Sequence, residues 1–414
     1  MKKFRVSGIV IILALATLIS GCSNNWSDEV KTITGLINEN KDSETNNSIA
    51  NQESTSTDKS DKNNNPDLTD ATTITAKDNS DYTISSAGNY ILSGKASNFT
   101  VKVEADKEDE VQITLNGATI TNDNFPVIYV KTADKCFVTT QGSNNLSVNN
   151  LFTTDGDINT DAVIFSKADL TLNGTGNLTI TSAAGNGITC KDDMTITEGS
   201  YNITSAEDAI EANDSISVNQ GTFVITTNKD GFHCENDSED GSVYIKDGSF
   251  TINAKDDGIQ ATTTLVVDGG KFEITAAEGM EATNIKINGG TININASDDG
   301  INAARKSSKC DVVIEINGGE ITIVAGPGDT DCIDANGTII VNGGTINLTG
   351  NSTFDADQGS TYNGGTIIIN GTQVDSIPAS MMGGHGGPGG FGGNKRDKPQ
   401  GGFNGDRGEP PVGR

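Results

Sequence analysis

The sequence predicts an all-β chain wound as a right-handed, three-faced parallel β-helix with an irregular N-terminal cap. Three observations predict it. A short phrase returns as Asp208-Ala-Ile-Glu211, Asp230-Gly-Phe-His233, Asp257-Gly-Ile-Gln260, Glu278-Gly-Met-Glu281, Asp299-Gly-Ile-Asn302 and Asp331-Cys-Ile-Asp334. Its small second residue recurs after 22, 27, 21 and 21 residues, at Ala209, Gly231, Gly258, Gly279 and Gly300, and strand-like content at a fixed period marks a solenoid. Second, an Asn/Asp-Gly-Gly corner returns at Asp268, Asn288, Asn317, Asn342 and Asn363, where glycine permits the positive φ of a sharp bend. Third, strict alternation follows each corner (Phe272 and Ile274, Ile292 and Ile294, Ile321 and Ile323), so one face points in and the other out. Parallel crossovers are almost always right-handed, which sets the expected hand.

The elements follow in order along the chain. Residues 1–22 carry Lys2, Lys3 and Arg5, the apolar run Ile9 to Ile19, and then Ser20-Gly21-Cys22. The run is too short to span a bilayer. It resembles a bacterial lipoprotein signal (Leu18-Ile-Ser-Gly-Cys22), which implies lipidation at Cys22 and a membrane anchor in the cell envelope, with the remainder held outside the cytoplasm. Residues 23–70, rich in Ser, Asn, Asp, Thr and Lys, read as a flexible tether that cannot offset its ordering entropy by burial. Residues 71–150 are β-rich but less regular, as a cap and first turns would be; a separate β-sandwich is the other possibility. Residues 151–378 form the β-helix. Residues 379–414 read as a Gly/Pro-rich disordered tail, mildly basic.

Charge narrows the partners. From Asp155 to Asp375 there are 34 acidic against 10 basic residues, a net of −24. Such a surface repels phosphates and excludes nucleic acid, while favouring cations or partners bridged by them. Cys190 and Cys234 fall where other turns carry Ala212, Ala261, Ala282, Ala303 and Ala335, so they read as small inward residues. They sit two turns apart, ~9–10 Å, beyond disulfide reach. A bridge among Cys136, Cys310 and Cys332 stays open.

In each Asp-Gly-Ile-x-Ala phrase the Ile and Ala should face the core, leaving two outward positions: Asp208/Glu211, Asp230/His233, Asp257/Gln260, Glu278/Glu281, Asp299/Asn302 and Asp331/Asp334. Successive turns lie ~4.8 Å apart. Two carboxylates at that spacing repel by roughly 3–4 kcal/mol at an effective dielectric near 20. A column of them therefore points to bound cations, and Ca2+ suits the oxygen donors best. The candidate metal ligands are Asp208, Glu211, Asp230, Asp257, Glu278, Glu281, Asp299, Asp331 and Asp334. The competing reading is that these are solvated turn formers screened by salt. Zinc is disfavoured, because His233 is the single histidine of the repeats.

Two insertions, Glu235 to Gly241 and Ala304 to Asp311, leave the coil at the same corner three turns apart, ~14 Å. Register alone suggests a shallow groove between them, wide enough for a glycan, with Gln260, Glu281, Asn302 and Arg305 as ligand-binding candidates.

Several blocks resemble a known bacterial family: Ile84-Ser-Ser-Ala-Gly-Asn-Tyr-Ile-Leu-Ser-Gly94, Val111-Gln-Ile-Thr-Leu-Asn-Gly117, Ala162-Val-Ile-Phe-Ser-Lys-Ala-Asp-Leu-Thr-Leu-Asn-Gly174, and the ending Met381-Met-Gly-Gly-His-Gly-Gly-Pro-Gly-Gly-Phe. Together with the Asp-Gly-Ile turns they are similar to the carbohydrate-binding domain-containing proteins, over about residues 71–393. That resemblance implies a pectate-lyase-like right-handed β-helix, bound calcium, a secreted or lipoprotein setting, and binding to cellulose or polygalacturonate. It supplies no sugar-site motif to carry over.

Three function classes remain. An enzyme of the lyase kind needs an Arg or Lys base, and the only arginine in the repeats is Arg305. The acid pairs recur as corner chemistry rather than as one singular inverting site, so the chain is expected not to be an enzyme. Neutral cellulose is usually gripped by aromatic platforms, yet Trp26 lies in the tether and the repeats hold only Tyr201, Tyr244 and Tyr362. Calcium-bridged binding of an acidic polysaccharide is the favoured expectation, with a surface scaffold or adhesin as the alternative.

Overall fold

Residues 257–276 make up one turn and show how the sequence closes it. Three strands, Asp257–Ala261, Thr264–Val267 and Lys271–Ala276, are separated by a tight bend and a Gly-Gly corner. Ile259, Ala261, Leu265, Val267, Phe272 and Ile274 all point inward and are buried. The next turn repeats the pattern with Glu278–Ala282, Asn284–Ile287 and Thr291–Ala296, paired in parallel with the first. The second glycine of each Gly-Gly pair has positive φ, as at Gly270 (100°) and Gly290 (99°), so a β-carbon there would be strained.

The computed structural model describes residues 66–378, except positions 237, 239 and 329. The signal segment with Cys22, nearly all of the tether and the Gly/Pro-rich tail lie outside the described residues. Every regular element among the described residues is a strand, and the strands form a three-faced parallel solenoid. One face is a 12-stranded sheet running from Ser80–Ile84 to Ser352–Ala356. The other two join into a 24-stranded sheet, because Glu110–Asn122 crosses their corner unbroken, pairing first with Lys135–Gln141 and then with Ser143–Val148. Apart from one antiparallel pair at the far end, each strand pairs with its counterparts in the neighbouring turns. The block 71–150 continues the same ladders, Val111 opposite Cys136 and Cys136 opposite Leu170. It is therefore wound into the coil, not folded as a separate sandwich. At the far end, Thr372–Val374 turns back antiparallel on Thr366–Ile369.

Stacking of like residues holds the turns together. Tyr201, Phe223, Phe250 and Phe272 form a continuous ring stack with centroids 5.2, 4.9 and 4.5 Å apart, within the range where aromatic pairs add to their area burial. The Gly-Gly corners carry an amide ladder outside the core. Asn288, Asn317, Asn342 and Asn363 each donate from Nδ2 to the side-chain oxygen one turn earlier, at 2.7–2.8 Å. All five cysteines among the described residues are buried, and no disulfide bridge forms between them.

A second, small apolar cluster lies outside the coil. Tyr129 and Phe165 occupy outward positions of the 12-stranded sheet, yet each is only 1% exposed. Phe125 and Ile158 cover them, and Asp155 accepts from the Tyr129 hydroxyl at 2.9 Å.

Candidate metal centre on the acidic strip

The recurring phrase builds two adjacent columns on the 12-stranded sheet. Strand register places Thr189, Glu211, His233, Gln260, Glu281, Asn302, Asp334 and Asp355 in one outward file, one residue per turn. Beside it run the first-position acids, Asp208, Asp230, Asp257, Glu278, Asp299 and Asp331.

The first-position acids are not the outward-facing row expected from the sequence. Asp208, Asp230 and Asp257 are buried, at 2%, 2% and 4% exposure. At Asp208, Asp230 and Asp299 the bend tucks the carboxylate beneath the next turn, where it accepts a main-chain N–H. Asp208 Oδ1 accepts from Asp230 N (3.0 Å), Asp230 Oδ1 from Asp257 N (2.8 Å) and Asp299 Oδ1 from Asp331 N (2.7 Å). These acids are rungs of the corner as well as charges. The small residue beside them is sterically required: a Cβ on Gly258 or Gly279 would stand 2.5 or 2.4 Å from the carbonyl oxygen of the next turn.

Neighbouring side chains divide the strip into three zones. At its N-terminal end the protein supplies its own cations. Asp208 Oδ2 lies 3.0 Å from Lys229 Nζ and 2.9 Å from His233 Nδ1, and Glu211 meets Lys191 Nζ at 2.7 Å. Burial opposes ionisation of Asp208, but the hydrogen bond and charge of His233 outweigh it and hold the carboxyl below its usual range. Burial alone would lower His233, yet Asp208 and Asp230 raise it.

In the central zone Asp257, Glu278 and Glu281 converge, each offering a carboxylate oxygen within 4.8 Å of the others. Burial, then repulsion from Asp230, Glu281 and Glu278, pushes Asp257 far above the ordinary carboxylate range. Burial and the Glu281 charge raise Glu278 to about 7, partly offset by the Asn302 amide. Lys306 Nζ sits 2.5 Å from Glu281 Oε2, and Gln260 donates to the same oxygen at 3.1 Å. Asn302 Nδ2 donates to Glu278 Oε2 at 2.9 Å, while its Oδ1 is buried without a hydrogen-bond partner. Asn302 is only 8% exposed.

In the third zone Asp331, Asp334 and Asp355 converge within 4.8 Å. Burial, then the charges of Asp299, Asp331, Asp355 and Asp357, raises Asp334 to about 7. Asp355 and Asp357 were not among the sequence candidates. Phe354-Asp355-Ala356 repeats the frame of Ile333-Asp334-Ala335 one turn later, and following that triplet would have found Asp355.

The donors of the central and third zones are hard oxygens, and the orphaned Asn302 Oδ1 is one more acceptor beside them. That set fits Ca2+, which takes six to eight such oxygens in flexible geometry.

The insertions do not flank an open groove. The second folds back over the intervening turns: Lys306 N and Ser307 N donate to Thr283 Oγ1 at 3.0 and 2.9 Å, and Cys310 is buried with its Sγ 3.7 Å from Thr263 O. Lys309 Nζ then reaches Asp240 Oδ2 of the first insertion at 2.7 Å. The groove expected from register is thus crossed by a strap. Of the sequence's ligand candidates, Gln260, Glu281 and Asn302 sit together in the central zone, and Arg305 is exposed on the strap.

A family model described as carbohydrate-binding domain-containing protein matches residues 78–330 and 282–381. The chain belongs to that family. A carbohydrate-binding domain-containing protein of Acetivibrio thermocellus is 32% identical over 124 residues, covering 29% of this chain and 43% of the relative. The chain therefore matches less than half of that relative's length. A solved structure described as the polysaccharide lyase-like protein from C. thermocellum, gadolinium derivative, is 20% identical over 71% of this chain and 98% of its own, with a TM-score of 0.35. That likeness is too slight to carry a conclusion. The family is named for a carbohydrate-binding domain.

Proposed function

We propose that this is an extracellular, lipid-anchored protein that binds an acidic polysaccharide of the polygalacturonate type through Ca2+ held on the acidic strip. The observation that carries the reading is the central zone, where Asp257, Glu278 and Glu281 crowd together beside an unsatisfied Asn302 oxygen. A strip of this sign repels a uronate directly, and a divalent cation between them turns two anions into partners. Bound Ca2+ would supply that bridge; the chain's residues would hold it, position it, and keep its donors aligned through the corner hydrogen bonds. The role is binding without catalysis.

The test is retention of the protein on immobilised polygalacturonate and on cellulose, each with Ca2+ and with EDTA. Retention on polygalacturonate that EDTA abolishes, and that Glu278→Gln with Glu281→Gln weakens, supports the reading. Unchanged retention in that double variant moves the site elsewhere.

One observation favours a second reading, a surface scaffold. Asp208, Asp230 and Asp299 accept main-chain N–H groups, so the acids have a structural use without any glycan. No retention on either polymer by a folded protein favours it.

A further inference from the structure

A recess lies at the N-terminal end of the same sheet, away from the acidic strip. It is an open recess of about 340 Å³ lined by Asp81, Asn98, Lys102, Asp123, Asn124 and Phe125. Lys102 stands in the same outward file as Gln260, six strand intervals before it, or ~29 Å.

The recess is built in advance. Lys102 Nζ is held by Asp81 at 3.0 Å and stands 5.6 Å from the Phe125 ring centre. Asn98 adopts a left-handed backbone (φ 55°), and its side chain bridges Asp123 twice: Oδ1 accepts from Asp123 N at 2.9 Å, and Nδ2 donates to Oδ2 at 3.1 Å. Buried Asn122 pins the segment bearing Phe125, accepting from Phe99 N at 2.8 Å and donating to Phe125 O and Pro126 O at 3.1 Å. Thr153 closes the rim through its N–H to Asn124 O at 2.8 Å. Phe125 itself packs edge to face with Tyr129 at 5.5 Å. Polar groups converging beside an aromatic wall on a rigid frame are the ordinary makings of a small-ligand site, and ~300 Å³ is the lower end of their size range.

The chemistry of the wall selects the ligand. Asp81 and Asp123 are exposed carboxylates, and the one ammonium is already paired with Asp81. A uronate would meet net negative charge. A neutral pyranose offers hydroxyls that both donate and accept, matching carboxylates and amides, and a C–H face to lie against Phe125. We propose that this recess is a binding site for neutral hexose or pentose glycan, independent of any cation and separate from the acidic strip.

The test is calorimetric titration of the full chain, in excess EDTA, with linear hexaoses of glucose, mannose and xylose. At least one should bind. Phe125→Leu, which keeps an apolar side chain against Tyr129, and Lys102→Met, which keeps the stem, should each weaken that binding by ~10-fold or more with thermal unfolding unchanged. The proposal is overturned if none of the three binds in EDTA, or if binding persists equally in both variants. Because EDTA silences the calcium reading, failure of either proposal leaves the other standing.

Discussion

Lys306 Nζ lies 2.5 Å from Glu281 Oε2, so a side chain tethered on the strap occupies the edge of the central carboxylate cluster. The ammonium and a divalent ion compete for one oxygen. Lys306→Met should therefore tighten Ca2+ binding, by roughly 3- to 10-fold if the pair interacts at an effective dielectric near 20. Calorimetry with Ca2+ alone checks it; unchanged or weaker affinity would remove Lys306 from the account.

Proton competition gives a pH dependence with a definite sign. Glu278 and Asp334 are each raised to about 7 and Asp230 to about 6, so between pH ~4 and ~7 the folded state holds protons that the unfolded chain releases. Stability from these groups is full below ~4, the unfolded carboxylate range, and is lost as pH rises towards 7. His233, also raised, adds a loss in the same direction near neutrality. In EDTA the melting temperature should fall between pH 5 and 7.5, and Ca2+ should restore it at the upper end. A metal-free protein that is more stable at pH 7.5 than at pH 5 contradicts this.

The second-position glycines of the acidic phrase should be among the least replaceable residues of the repeat. Gly279→Ala places a Cβ 2.4 Å from Gly300 O and 2.5 Å from Ile294 Cγ2, with main chain on one side and packed core on the other. A loss of about 1–3 kcal/mol is expected. Gly269→Ala, whose Cβ meets only Lys246 O at 3.0 Å, should cost less. Urea unfolding of the two variants decides, and equal losses would refute the steric reading.

The amide ladder makes a smaller claim. Asn317 both donates to Asn288 (2.8 Å) and accepts from Asn342 (2.7 Å), so Asn317→Ala breaks two rungs. The rungs are exposed, and the expected cost is ~1 kcal/mol. A loss above that of Gly279→Ala would mean that the ladder outweighs the buried second-position glycines in holding the turns together.

Much of the architecture was legible because a solenoid writes its period into the chain. The spacing of Gly231, Gly258, Gly279 and Gly300, with alternation at Phe272 and Ile274, was enough for the three faces. The strip's membership was legible for the same reason: register carries Glu281 opposite Asn302 and Asn302 opposite Asp334. What the acids do was not legible. Whether Asp230 faces water or accepts Asp257 N depends on how far the bend tucks it under, and no residue pattern records that angle. The strap was missed because insertions are aperiodic; nothing in Ala304 to Asp311 says that Lys309 travels back to Asp240. The neutral recess escaped for a similar reason, since its walls come from strand, corner and loop segments far apart in the chain.

Pairing confined to neighbouring turns has a consequence for variation among related chains. The coil behaves as a ruler graduated in rungs of ~4.8 Å. Gain or loss of one whole turn between Lys102 and Gln260 would slide the recess and the strip relative to each other by a single graduation, leaving each site's own contacts intact. Spacing between the two could thus be retuned to the repeat of a different polymer without redesigning either one.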